Sequence, residues 1–267
     1  MDDAVNFGNP SIPLLPDDLA ESVWRPQPGL PKRERTRVQL VQAAIRVFTA
    51  RGFAGATMQE LAAVAGMTTG TVYNHFKTKE EVARAVALLL ADTLCRRIDD
   101  SQRGIAEGAQ RMAIGNQRYI WLAEQSPQWA LMTLDVAAAA PELLLEIRDY
   151  VLADLRLGVK QKAFRVPSEA AAMDLINGTI AQAMRSVALG LAPPNHGREV
   201  ATCVLRGLGM EPAAAREVAH RPLPPFPPIG EAPAARAKAR AKAPAKVAAK
   251  VAARTAKTAK PKRGQLA

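Results

Sequence analysis

The stretch from residue 57 to 79, TMQELAAVAGMTTGTVYNHFKTK, constrains the fold of this chain more than any other. Thr57 followed three residues later by Glu60 is a capping box, so a helix opens there. Leu61, Ala62 and Ala65 share one apolar face of that helix. Gly66 ends it, because glycine takes the left-handed cap conformation without a Cβ clash. Thr68 can cap the next helix, and Thr78 with Glu81 makes a second capping box that opens a third. Punctuation this dense leaves room for two short helices, a tight turn between them, and the start of a longer helix.

The middle helix is the informative one. Each residue advances roughly 100° around the axis. Val72 and Phe76 therefore share a side and face the core, while Gly70, Thr71 and Asn74 fall on the opposite side. Tyr73 and His75 sit at the margins. The outward face is small, neutral and rich in hydrogen-bonding groups, which suits entry into a DNA major groove. On that reading Thr71 and Asn74 lie near base edges, with Tyr73 and His75 near the phosphate walls. Gly70 costs about 1 kcal/mol of helix propensity relative to alanine, and close approach of backbone to DNA is a reason to keep it.

Residues 37–82 resemble the TetR family of bacterial transcription regulators. The matching residues are Leu40, Ala43, Ala44, Phe48, Gly52, Phe53, Thr57, Leu61, Ala62, Ala65, Gly66, Met67, Thr68, Gly70, Val72, Tyr73, His75, Phe76, Lys79 and Glu80, in order and without insertion. The resemblance implies an all-α protein with an N-terminal three-helix DNA-binding domain over 31–80 and a helical-bundle domain for ligand binding and dimerisation over 81–220. It implies a DNA-contacting set of Gln59, Thr68, Thr69, Gly70, Thr71, Tyr73, Asn74, His75 and Lys79, with Tyr73 and Lys79 on phosphates. It also implies a homodimer and a small-molecule effector.

Before the motif, Leu40, Ala44, Val47 and Phe48 form one apolar stripe on a helix over 32–51. Gly52 stops that helix and lets Phe53 fold back on its last turn. Lys32, Arg33, Arg35 and Arg37 crowd its start, where positive charge opposes the helix dipole, so phosphate is their natural partner. After the motif, Val82, Val86, Leu89 and Leu90 stripe a helix running from Lys79 to about Asp100. It begins in the DNA-binding unit and ends in the next region without a linker. In the family the equivalent helix transmits ligand binding to the DNA-reading helices.

Further helices are expected over 105–124, 127–139, 141–164, 168–191 and 198–208, divided by Pro127, Pro141, Pro167 and Pro193-Pro194. A last short helix is expected in EPAAAREVAHR. The resemblance places the dimer contacts on the helices at 168–191 and 198–208. Ala172, Leu175, Ile176, Thr179, Ala183 and Val187 supply a small-residue stripe there. By residue type, Met112, Gln117, Trp121, Trp129, Met132 and Asn177 are the candidate effector-pocket residues.

The formal net charge is +11, and its distribution matters. Residues 231–267 hold eleven Lys or Arg against one Glu, a net +10, which leaves about +1 for the other 230 residues. That Ala/Lys-rich tail, expected to be disordered, follows the stiff, extended Pro-rich linker PLPPFPPIGEAP, the two spanning 221–267. The tail invites nonspecific binding to phosphates. Residues 1–30 are acidic and Pro-rich and read as a disordered arm. The start lacks the basic and apolar regions of a signal peptide, and no run of about 18 apolar residues crosses a membrane, so the expected location is the cytoplasm, on the nucleoid. Cys95 and Cys203 read as buried free thiols, and His75, His196 and His220 are scattered, so no metal or cofactor is expected. No nucleophile elbow, P-loop, dinucleotide fingerprint or zinc-protease motif occurs, and no enzyme activity is expected. The reading is a ligand-responsive repressor binding a pseudo-palindromic operator as a homodimer. The alternative is a nucleoid-structuring protein dominated by its basic tail.

Overall fold

Alanine-rich stripes with well-marked ends fold here into helices joined by short turns. The structure, a computed structural model, describes residues 15–24, 29–139 and 142–228, and of residues 139 and 142–147 it describes the backbone. Eleven helices and no strand occur among the described residues. They are α1 (Asp17–Trp24), α2 (Lys32–Gly55), α3 (Met58–Ala65), α4 (Thr69–His75), α5 (Lys79–Ser101), α6 (Gly108–Gln125), α7 (Pro127–Ala139), α8 (Glu142–Lys160), α9 (Glu169–Ala188), α10 (His196–Gly207) and α11 (Pro212–His220).

The first folded helix ends as its glycine dictates. Gly52 has φ 69° and ψ 168°, which breaks α2. Phe53 then turns back edge-on to Phe48, with ring centroids 5.6 Å apart. α2 packs on α3 and α5, and α3 on α4, so these four helices make the N-terminal unit. α6 is the axis of the second half, packing against α8, α9, α10 and α11. α6 and α8 cross at Gly108 and Gly158, where a Cβ on Gly108 would collide with the backbone of Gly158. The phenyl ring of Phe164 in turn fills the space a Gly158 side chain would need.

Residues 15–24 correct the expectation of a wholly disordered arm. Leu15, Leu19 and Val23, spaced by four, are buried, and α1 packs on α5. Gln42 of α2 donates its amide N–H to the Val23 carbonyl at 3.0 Å. Arg46 of α2 stacks over the Trp24 ring at 4.7 Å. An eight-residue helix cannot hold itself in water, so these tertiary contacts are what make α1 helical. The remainder of the arm's first 14 residues, the end of the Pro-rich linker and the basic tail lie outside the described residues.

A second correction concerns α9. Ala172, Ile176 and Ala183 are buried inside the subunit, because that face packs on α6 and α7. Half of the expected dimer stripe is therefore subunit core. Thr179 and Val187 are half-buried, and Leu175 is 38% exposed. Cys203 is exposed on α10 rather than buried, whereas Cys95 is buried as expected. Among the described residues no helix is long and apolar enough to cross a membrane.

Candidate nucleic-acid interface and effector cleft

The helix–turn–helix is built by the caps the sequence announces. Thr57 accepts from the Glu60 N–H at 3.2 Å, and the Glu60 carboxylate accepts from the Thr57 N–H at 3.0 Å. Gly66 caps α3 in the left-handed conformation, φ 64° and ψ 33°, and Met67 N–H closes back on the Ala62 carbonyl at 2.9 Å. The Thr68 hydroxyl accepts from the Thr71 N–H at 3.2 Å and starts α4. At α5 the Thr78 hydroxyl accepts from Glu81 N–H at 3.2 Å, but the Glu81 carboxylate reaches one residue further back, to Lys77 N–H at 2.7 Å. The second box thus closes around Lys77 instead of Thr78. The neighbouring Glu80 carboxyl is held below its ordinary value, first by a backbone N–H at the helix start and then by the Thr78 hydroxyl.

Val72 and Phe76 anchor α4 in the core, at 0% and 2% exposure. Gly70 and Asn74 are exposed, Tyr73 is 42% exposed, and Thr69, Thr71 and His75 are half-buried. Gln59 is exposed on α3. The Asn74 amide makes no hydrogen bond within the described residues, whereas the Thr71 hydroxyl is tied to that of Thr68 at 3.0 Å. On α4, Asn74 is thus the side chain with most hydrogen-bonding capacity unspent within the subunit. A Cβ on Gly70 would meet nothing nearer than the Thr68 hydroxyl at 3.9 Å, so the subunit itself does not require glycine there.

Cations frame this helix differently from the expectation. Lys79 is half-buried and donates to the carbonyls of Ala54 and Ala56, both at 3.1 Å, while its ammonium lies 4.7 Å from the centre of the Phe53 ring. In this conformation it clamps the end of α2 to the start of α5. Arg37 stacks over Phe76 at 4.7 Å, which fixes a guanidinium beside the last turn of α4. Lys77 donates to the Tyr73 carbonyl at 2.8 Å. The four-residue spacing of Tyr73 and Lys77 is what allows that capping contact. Lys32, Arg33 and Arg35 are exposed at the start of α2.

A cleft opens between α5, α6 and α8, with a volume of about 40 Å³. α5 gives it Cys95, Ile98 and Asp99, α6 gives Arg111, Met112, Gly115, Asn116 and Tyr119, and α8 gives Tyr150, Val151 and Asp154. The α6 residues recur at three- and four-residue intervals, which is one helix face. Arg111 donates to Asp154 at 2.6 Å and to Asp99 at 3.0 Å, joining all three helices. Tyr119 and Cys95 share a hydrogen bond at 2.9 Å, and burial first of all pushes the Tyr119 hydroxyl well above its ordinary value, so it stays protonated. The Asn116 side chain is buried and its Nδ2 has no partner.

Of the six expected pocket residues only Met112 lines this cleft. Gln117 donates to the Ala219 carbonyl at 2.9 Å, on the side of α6 that meets α11. Trp121, one turn further along, sits edge-on to Phe226 at 5.5 Å. Trp129 is buried and Met132 half-buried, both within the α7 packing, and Asn177 is half-buried on α9. Residue type selected these six, whereas helix phase decides which side chains reach the cleft. Among the described residues no group of three or more His, Cys, Asp or Glu could hold a metal ion.

Comparison with known proteins places both halves. Residues 40–86 match the model for bacterial regulatory proteins of the tetR family. Residues 107–221 match a tetracyclin repressor-like C-terminal domain. The transcriptional regulator SrpR of Pseudomonas putida is 47% identical over 53 residues, 20% of this chain and 25% of that protein. The transcriptional repressor AcnR of Corynebacterium efficiens is 30% identical over 95 residues, 34% of this chain and 47% of that protein. The matches thus span a quarter to a half of the length of these curated relatives. The crystal structure of RolR with resorcinol superposes with a TM-score of 0.64 at 25% identity, covering 73% of this chain and 98% of RolR.

Proposed function

The chain belongs to the TetR family of bacterial regulatory proteins and is a helix–turn–helix DNA-binding regulator, and from that premise we propose that it is a homodimeric repressor released from its operator by a small molecule. The observation that carries the DNA-reading half is α4: its apolar side is locked in the core by Val72 and Phe76, and its exposed side offers Gly70, Tyr73 and Asn74. One such helix reads too few base pairs for specificity. Two, related by a two-fold axis, would read half-sites ~34–36 Å apart. AcnR is a repressor, and repression is the outcome proposed for this chain.

The dimer face lies on the side of α9 turned away from α6. Ala171, Leu175, Gly178 and Gln182 form one exposed row there, and Cys203 and Gly207 of α10 continue it. Ala171, Gly178, Cys203 and Gly207 are short, which lets two backbones approach closely around Leu175. The α5–α6–α8 cleft is the proposed effector site, because α5 runs without interruption from Lys79 in the reading unit to the cleft wall. RolR carries resorcinol, and an effector of similar small size suits this cleft. The proposed place of action is the cytoplasm, on chromosomal DNA. The basic tail is proposed to add nonspecific phosphate contacts, as its charge segregation suggests.

Footprinting with the full chain on genomic DNA tests the reading. A discrete protected block containing two inverted half-sites supports it. Uniform coating without a preferred site would replace it with the nucleoid-structuring alternative, which the relatives do not favour.

A further inference from the structure

Resting on the reading of the α5–α6–α8 cleft as the effector site, we propose that the effector is a small, uncharged ring compound carrying an oxygen acceptor, of the simple phenol class, whose oxygen takes the hydrogen bond that the Asn116 amide lacks. Three observations lead there. Asn116 is 2% exposed and its Nδ2 is without a partner, although it lines the cleft. Buried amide N–H groups are nearly always hydrogen-bonded, so one left unpaired on a residue of the cleft wall marks a place for an acceptor once the walls part. Water or a ligand oxygen satisfies it, and an alkyl group does not.

The second observation is charge. The ionised groups on the cleft wall are Arg111, Asp99 and Asp154, a net charge of −1. Arg111 already donates to both carboxylates, at 3.0 Å and 2.6 Å, so an anion entering the cleft would have to displace one of them from their shared cation. An ammonium would have to compete with Arg111 for the same two carboxylates. A neutral ligand competes with none of these three charged groups. The third observation is shape. Apolar side chains, Ile98, Met112 and Val151, alternate with the Tyr119 and Tyr150 rings, and Gly115 presents no side chain. Such walls favour a flat ring with a few oriented polar contacts.

Size adds the coupling. The cleft volume is about 40 Å³. A dry cavity that accepts benzene measures about 150 Å³, so a ring enters only by parting α5 from α6 and α8. The Asp99–Arg111–Asp154 tie resists that parting, and α5 carries it toward Lys79 and the reading unit. The ligand thereby differs in affinity between two positions of α5, which is the condition for it to shift DNA binding.

The test uses the full chain and four probes built on one benzene ring: phenol, toluene, benzoate and benzylamine at pH 7. Thermal unfolding and titration calorimetry read binding, and fluorescence anisotropy of a labelled operator reads release. Phenol is expected to bind and raise the unfolding temperature, with toluene about tenfold weaker, the fold-change that one ordinary hydrogen bond supplies, and no shift from benzoate or benzylamine. A Cβ on Gly115 meets nothing within 4 Å, so Gly115→Leu should grow into the cleft, fold normally and abolish phenol binding. Asn116→Leu should bring phenol and toluene to parity. Benzoate or benzylamine binding as tightly as phenol, no binding by any of the four, or phenol binding retained in Gly115→Leu would overturn the proposal. Phenol binding in the cleft without operator release would instead leave the ligand class standing and remove the effector reading. Release by a ligand of another class, lost in Gly115→Leu, would keep the effector site and remove the class.

Discussion

Lys79→Met separates two jobs that a lysine can do beside DNA. The ammonium has three N–H donors, and two of them go to the Ala54 and Ala56 carbonyls at 3.1 Å. The Phe53 ring centre lies 4.7 Å from the charge. Methionine keeps most of the stem and removes all three contacts. Hydrogen bonds from a charged donor contribute about 1.5–3 kcal/mol each when buried. Lys79 is only half-buried, so the two together are worth about 1.5 kcal/mol, and the ring contact adds about 0.5 kcal/mol. A loss of about 2 kcal/mol lowers the unfolding temperature of a chain of this size by about 4–8 °C.

If the clamp is the whole role, the salt dependence of operator binding stays as in the wild type. If Lys79 instead holds a phosphate, each subunit loses one neutralised charge, and the slope of log K against log salt becomes shallower by about 0.9 per subunit. Differential scanning calorimetry of the free protein and a salt titration on operator DNA measure the two effects separately. The expected result is a lowered unfolding temperature with an unchanged slope. An unchanged unfolding temperature with a slope shallower by roughly two units in the dimer would refute the clamp and show that Lys79 swings from the carbonyls onto DNA.

The recognition helix supports two further expectations. Asn74→Ala should change base preference at a cost of about 1–3 kcal/mol on the operator, and equal losses on operator and scrambled DNA would exclude it from base reading. Gly70→Ala should raise stability by up to about 1 kcal/mol while lowering DNA affinity; unchanged affinity in a binding titration would show that the backbone does not approach DNA closely there. For the dimer, Leu175→Glu should give folded monomers in sedimentation, whereas Ala183→Glu, inside the subunit core, should unfold the chain; a stable Leu175→Glu dimer would move the interface elsewhere. Deleting residues 231–267 should lower affinity for operator and random DNA together at low salt and make the salt slope shallower by several units, and an unchanged slope would leave the tail a solubilising segment.

What was legible in the sequence was local. Capping hydroxyls, terminal glycines and four-residue stripes act within a few residues, and they place α2 to α5 and the Val72–Phe76 anchor correctly. Phase around a helix was legible only where one face was plainly polar, as in α4. On α9 both faces carry small residues, so the stripe through Ala183 gave no clue that α6 and α7 would cover it. On α6 the sequence offered Trp121 and Gln117 as conspicuous residues, yet Gly115, Asn116 and Tyr119 occupy the cleft because of their phase relative to Met112. α1 was illegible for another reason. The Leu15, Leu19 and Val23 spacing is a stripe, but the helicity of α1 comes from its contacts with α2 and α5, which lie outside its own stretch of sequence.

One buried arrangement explains why those distant contacts persist. Arg97 of α5 and Arg118 of α6 are both buried, and the ring of Phe226 lies over them, 5.1 Å from one guanidinium and 4.0 Å from the other. Two like charges at that depth repel, and burial first of all makes the Arg118 guanidinium easier to deprotonate than an exposed one. Compensation comes from both ends of the folded chain. Asp18 of α1 accepts from Arg97 at 3.4 Å, the Pro227 carbonyl accepts from Arg97 at 2.6 Å, and the Pro224 carbonyl accepts from Arg118. Guanidinium tolerates this because it is flat, weakly hydrated and stacks on aromatic rings. The carbonyls of the Pro-rich strap carry no competing N–H where proline supplies the next nitrogen. α1 is thereby held to α5 by charge while Gln42 and Arg46 hold its other end to α2. The reading unit is then joined to the effector half twice, once through the continuous α5 and once through α1, so a shift of α5 at the cleft must either carry α1 with it or part Asp18 from the buried Arg97.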